Sequence, residues 1–250
     1  MTKPIESGGP FMQQPGREKT KKEQFLDNLA GFLQKNRIFF LSFLIAIALF
    51  FIVFAIASEV RNRRIEESTI MTEELQKQYE NWFENMDKEE AEQPAEIGET
   101  AKELISQADS ILEKYPNLYA SQRAHYIKAN VYYKKGEWSS AAEAFITLQE
   151  RFPKSYLAPI ALHIAAIASE EMDEIDRALE LHNQILSNYA STYPDTPRSI
   201  FTIGRLYEHK EQYEEAQEQY NTLINEYTSS NWTKLARDRI IYLQSKGLIS

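Results

Sequence analysis

Residues Ile38 to Ser58 read IFFLSFLIAIALFFIVFAIAS, with no charge, no proline and no glycine. At about 1.5 Å of rise per residue this run spans roughly 30 Å, the thickness of a bilayer's hydrocarbon core. Its only polar side chains, Ser42 and Ser58, can bond back to their own helix. A helix satisfies its backbone polar groups internally, so the segment is able to live in lipid. Ala55-Ile56-Ala57 ahead of Ser58 has the small-x-small form of a signal-peptide cleavage site. A signal peptide's apolar region is about 7–15 residues, however. This run is longer and follows a tail of 37 residues, which favours an uncleaved single anchor.

Flanking cations set the expected orientation. Arg17, Lys19, Lys21, Lys22, Lys35 and Arg37 precede the run. Arg61, Arg63 and Arg64 follow it, with Glu66 and Glu67 close behind. The bias places the N-terminus in the cytoplasm and the large C-terminal part outside. A cytoplasmic C-terminal part is the topological variant.

Five segments are expected. Residues 1–19, rich in Pro, Gly and Gln, cannot bury enough apolar surface to order themselves and are read as a disordered tail. Residues 20–37 set Phe25, Leu26, Leu29, Phe32 and Leu33 at helical spacing beside lysines. That pattern fits either a short helix on the membrane surface or the start of the anchor helix. Residues 38–58 are the span. Residues 59–99 are read as a helical stalk ending in an acidic linker, DKEEAEQPAEIGE, whose Pro94 and Gly98 mark a break. Residues 100–250 show helical periodicity throughout and no period-2 alternation. The fold class expected is all-α.

Residues 100–250 repeat themselves. Ala129, Tyr132, Ala141 and Phe145 recur in their relative spacing as Gly204, Tyr207, Ala216 and Tyr220. A more degenerate copy holds Ala166, Ile175, Ala178 and His182, and the alanines 141, 178 and 216 lie 37 and 38 residues apart. This pattern resembles the tetratricopeptide repeat (TPR), a helix pair of about 34 residues that stacks into a superhelix. The resemblance covers about 116–228, with a half-unit before it and a capping helix around Trp232–Tyr242. Small residues late in the first helix let the second approach closely. Gly136 can take the left-handed conformation that ends the first helix, and Asp173 can do so less easily. Lys128, Ser169 and Glu211 depart from the usual repeat residues.

The family resemblance implies a concave wall built from the first helices. Its matching positions are Arg123, Tyr126, Asn130 and Tyr133; Ile160, His163, Ile167 and Glu170; and Arg198, Phe201, Arg205 and Glu208. Rings, aliphatics and a few charges suit an extended or helical peptide, with apolar anchors supplying ~1–2 kcal/mol each. Some TPR proteins clamp a C-terminal carboxylate through five residues. Here Asn130 and Arg198 match, but Tyr126, Ile164 and Thr202 do not, so that ligand is not expected.

Other functions lack their residues. The net charge is -9 and the pI about 5.1, against nucleic-acid binding. There is no cysteine, so no disulfide, thiolate metal site or lipidated cysteine. His125, His163, His182 and His209 show no metal-binding spacing, and no phosphate loop or serine elbow occurs. No enzyme, cofactor, metal or small-molecule substrate is expected. The layout of basic tail, single anchor and acidic TPR domain also resembles the periplasmic TPR ancillary subunit of the bacterial Sec translocon. That resemblance implies a tethered adaptor for protein segments, anchored in an inner membrane with its C-terminal domain in the periplasm. The alternative is a scaffold subunit of a membrane or motility complex, contacting partners through the stalk or the convex face.

Overall fold

The computed structural model describes residues 20–89 and 94–250. The tail 1–19 and the centre of the acidic linker, residues 90–93, lie outside the described residues. The chain divides into two compact units, one ending at Arg61 and the other running from Asn62 to Ser250.

In the first unit, α1 (Lys21–Lys35) precedes the opening stretch of α2 (Arg37–Glu89). Nearly all large apolar side chains from Ile38 to Ile56 are exposed. By length and composition this helix is apolar enough to cross a membrane.

Among its described residues the second unit holds helices joined by turns, and no strand. It contains the remainder of α2, then α3 (Pro94–Lys114), α4 (Tyr119–Lys134), α5 (Trp138–Arg151), α6 (Leu157–Glu171), α7 (Ile175–Tyr189), α8 (Thr196–His209), α9 (Tyr213–Glu226) and α10 (Asn231–Ser245). Helices pack in sequence order, α4 on α5, α6 on α7 and α8 on α9, with α10 against both α8 and α9. First helices also touch their successors, α4 with α6 and α8 with α10.

The stalk differs from its sequence reading. Leu75 and Trp82 of α2 are buried in one cluster with Ala101, Leu104, Ala108 and Ile111 of α3. Gln107 donates to Gln78 at 2.7 Å, and the Tyr115 hydroxyl to Glu67 at 2.8 Å. The half-unit at 100–114 is therefore completed by α2, which supplies its first helix from within 62–89. Pro94 opens α3, where a missing N–H costs nothing. Leu75 and Trp82 stand at helical spacing in this stretch, but spacing alone does not say which helix covers them.

Helices α4, α6, α8 and α10 end the same way. At Gly136 (φ 72), Asp173 (φ 60), Glu211 (φ 60) and Gly247 (φ 70) the chain turns left-handed. At each, two amides bond back in the crossed pattern that closes a helix, as when Glu137 bonds Tyr132 and Gly136 bonds Tyr133. Asp173 and Glu211 thus adopt a conformation that disfavours a Cβ. Each second helix ends in an aromatic, Tyr115, Phe152, Tyr189 or Tyr227. Buried Thr196 and Thr233 hydroxyls then tie the next turn by donating to carbonyls of Tyr193 and Tyr227.

Pairs close on small residues. Ala129, Ala166, Ala141, Ala178 and Ala216 are fully buried. A Cβ on Gly204 would lie 2.5 Å from the Tyr220 ring. Phe145 and Tyr220 are buried, whereas Tyr132 and Tyr207 are only half-buried.

The central pair buries two imidazoles. His163 of α6 and His182 of α7 stand edge to face, with ring centroids 5.4 Å apart. None of their four nitrogens finds a hydrogen-bond partner among the described residues. Burial pushes His163 down from 6.5 to about 4, helped by Arg198 and opposed by Asp195. Burial pushes His182 to about 3, with His163, Arg205 and Arg198 adding to the effect.

Two predictions follow from these contacts. Gly204→Ala should destabilise the solenoid by about 1–3 kcal/mol through overpacking. Glu211→Gly should stabilise it by about 0.5–1 kcal/mol by relieving the left-handed turn; urea midpoints measure both. For pH, the native histidines are neutral where the unfolded ones begin to protonate. Their contribution is complete above about pH 6.5 and is lost as pH falls toward 4 and 3. The slope should approach about 1.4 kcal/mol per pH unit per histidine. Urea midpoints between neutral and acid pH should show that slope, and His182→Leu should flatten it.

Candidate peptide-binding face

The first helices α4, α6 and α8 are successive members of the stack, and α4 touches α6 as α8 touches α10. Side chains stitch these neighbours together. Arg123 of α4 donates to Gln76 of α2 at 2.7 Å. Arg205 of α8 pairs with Glu170 of α6. Arg198 lies over the Trp232 ring, 5.8 Å from its centroid, and Phe201 packs between Tyr220 at 5.6 Å and Trp232 at 5.3 Å. Glu208 accepts from Arg239 of α10.

Eleven of the twelve sequence-derived positions keep some exposure here, but with different freedom. Ile160 and Ile167 are half-buried aliphatics. Tyr126 leans on Phe145 and Tyr133 on Trp138, each edge to face, and burial pushes the Tyr133 hydroxyl above its ordinary value. The Asn130 amide is occupied by the Tyr126 carbonyl at 2.8 Å. The Glu208 side chain is only 9% exposed and also accepts from the buried Tyr220 hydroxyl, so it braces the wall. His163 departs from the set: it is buried against His182 and withdrawn from the face. A helical period places it with Tyr126 and Phe201, but the neighbouring α7 covers it.

Two clefts open along the first helices. One, of about 490 Å³, lies between α2 and the start of α4, with Ile65, Thr69, Gln76 and Glu80 facing Tyr119 and Arg123. The second, of about 660 Å³, lies at the turns before α6 and α8, among Pro153, Tyr156, Pro159, Ile160, Tyr189 and Tyr193. Tyr156 bonds Tyr119, which lowers the Tyr119 pKa with help from Arg123 and raises that of Tyr156. Both tyrosines are more than half exposed.

The α2 residues and these tyrosines were missed in the sequence reading. A signal for the tyrosines existed: Tyr119, Tyr156 and Tyr193 recur every 37 residues, each four after an aromatic that ends the previous helix. No comparable signal marked Gln76 or Thr69. Among the described residues, no group of three or more His, Asp or Glu side chains is placed to hold a metal.

The burial of Glu208 gives a direct test. Glu208→Ala leaves the Tyr220 hydroxyl buried without its acceptor and should cost about 2 kcal/mol in urea unfolding. Glu208→Gln, which keeps an acceptor, should cost clearly less.

Comparison with known proteins supports this architecture. Residues 123–155 and 198–230 match the tetratricopeptide repeat family model. These segments fall on the α4–α5 and α8–α9 pairs. A TPR repeat-containing protein of Treponema pallidum (strain Nichols) is 25% identical over 119 residues, 48% of this chain and 49% of that protein. The chain thus spans about half the length of that curated relative. A solved chain of nearly identical TPR-like repeats, assigned to a kinesin light chain of Podosopora anserina, has a TM-score of 0.50 at 15% identity, covering 70% of this chain and 88% of that one. A second structure of those repeats has a TM-score of 0.49, with the same identity and coverage. The repeat pattern, the pairwise helix packing and the family-model match together show tetratricopeptide-type repeats on the α4–α5 and α8–α9 pairs.

Proposed function

We propose that this chain is a membrane-tethered adaptor that binds an extended or helical protein segment along the face of α4, α6 and α8. TPR arrays serve protein–protein interaction, and the α2–α4 cleft carries the reading for this one. The cleft pairs aliphatic and aromatic walls with side-chain donors and acceptors, as polypeptide recognition requires. Arg123, Ile167 and Arg205 keep exposed surface, supplying register and anchoring, while Tyr126 and Phe201 are held rigid by neighbouring rings.

In this reading residues 38–58 span an inner membrane, the tail is cytoplasmic, and the solenoid works in the periplasm. The bias of Lys and Arg toward the segment before the span supports that side. The role is assistance to protein translocation or envelope chaperoning, as the layout's likeness to the Sec ancillary subunit implies. Tethering raises local concentration, so weak groove binding suffices.

One observation favours a second reading, a scaffold subunit contacting partners away from the groove. Ile70 is 61% exposed on the α2 surface beside α3, and a shallower cleft of about 340 Å³ lies there with Met71 and Ile111.

Photo-crosslinking in native membranes separates the two. Crosslinkers at Arg123, Ile167 and Arg205 should capture a protein partner, and one at Ile70 should not. Combined Arg123→Ala, Ile167→Ala and Arg205→Ala substitution should reduce capture from a probe at Tyr156 about tenfold without unfolding the domain, a loss of about 1.4 kcal/mol. Undiminished capture by that variant rules the groove out, and capture from Ile70 alone selects the scaffold. Protection of the solenoid from protease in spheroplasts overturns the periplasmic placement.

A further inference from the structure

Helix α1 carries an apolar face that no part of its unit covers. Phe25, Leu26, Leu29, Phe32 and Leu33 are all exposed, from 42% to 66%. At about 100° per residue these five project from an arc of roughly 120°. The acids Glu23 and Asp27 fall on the opposite side, with Gln34 between them. Lys21 falls about 20° beyond one edge of the arc and Lys35 about 60° beyond that edge, as far as Glu23 lies beyond the other. Lys22 sits at its N-terminal end, where a lysine stem can run along apolar surface and carry its ammonium outward.

The ends of α1 are fixed locally. Thr20 and Glu23 form a reciprocal capping box at the N-terminus. At the other end Asn36 leaves helical geometry (φ -107, ψ 20), and its side-chain amide donates to the Phe32 carbonyl at 3.0 Å. The Phe32 and Phe40 rings meet edge to face across that break, 5.7 Å apart. Thus α1 is a 15-residue helix in its own right, distinct from the first turns of α2.

An isolated helix of this length is marginal in water and needs an apolar surface against it. Two observations say which surface. The apolar stretch of α2 begins at Ile38, directly after the break, so a span there holds α1 within reach of the bilayer surface. Lys21, Lys22, Lys35 and Arg37 bracket the apolar arc, and their charge complements anionic headgroups. We propose that α1 lies in the lipid–water interface of the leaflet where α2 enters. Its phenyl and leucyl side chains sit among the acyl chains, and its lysines sit on anionic lipid. The proposal rests on the reading of residues 38–58 as a span.

The chain has no cysteine, so single ones can be placed freely. Full-length protein carrying Leu29→Cys, Gln34→Cys or Phe50→Cys is labelled with an environment-sensitive fluorophore. It is then reconstituted into phosphatidylcholine vesicles with or without phosphatidylglycerol. At position 29 the emission should be blue-shifted, protected from aqueous iodide and quenched by a nitroxide at shallow acyl depth. At position 34 it should be quenched by iodide, and at 50 only by a deep nitroxide. Omitting phosphatidylglycerol, or combining Lys21→Gln, Lys22→Gln and Lys35→Gln, should shift the emission at 29 toward that at 34.

Equal iodide access at 29 and 34 overturns the inference, and so does equal protection of both, which marks α1 as buried on all sides. Insensitivity to the anionic lipid and to the lysine substitutions overturns it as well. Protection at 29 that fades as protein is diluted in lipid also overturns it, because a second copy then covers the face. In each of these cases a lipid-embedded position 50 leaves the span standing. Iodide access at 50 removes the span and the inference together.

Discussion

The solenoid depends on how closely the second helix of each pair lies against the first. At Gly204 there is no room for even a methyl group beneath the Tyr220 ring. Ala129 and Ala166 occupy the same place in the earlier pairs, with Ala141, Ala178 and Ala216 answering from the other side. Close packing is sensitive to single methylenes, so this contact fixes the angle and distance of each pair. The left-handed turn after α4, α6 and α8 serves the same end. It reverses the chain in few residues, and at Asp173 and Glu211 the backbone takes that conformation without glycine.

From that contact the candidate face follows. If each second helix covers one side of its first helix, another side of the first helices stays available along the stack. Side chains there interact from one first helix to the next, through Gln76 with Arg123, Glu170 with Arg205, and Phe201 with Trp232. Some of these contacts brace the wall. Glu208 is held by Arg239 and the Tyr220 hydroxyl, so its charge is spent inside the protein. Others leave exposed surface, as at Arg205. A recognition surface needs both, since rigid anchors lose less entropy on binding.

Much of the fold was legible in the sequence because its causes are local. The alanine spacing, the turn residues and the aromatics that end second helices are properties of one pair, repeated. The candidate site was legible in part. Tyr126, Ile167 and Phe201 keep exposure where the helical period puts them, while His163, at an equivalent position, is buried by α7. Periodicity reports which residues share a side of a helix, and cannot report which neighbour arrives to cover it. The stretch 62–86 shows the same blindness. Its sequence reads as a helical stalk, yet Leu75 and Trp82 are buried in one cluster with residues of α3.

The sequence by itself determined an apolar helix able to cross a membrane, the all-helical repeat and the small residues at its close contacts. Each of these is set by residue chemistry at short range. Only the tertiary structure decided that α2 completes the first pair, that two histidines face each other without partners, and that the α2–α4 cleft exists. Those depend on which surfaces meet across dozens of residues, and burial is a property of the meeting and not of either segment alone.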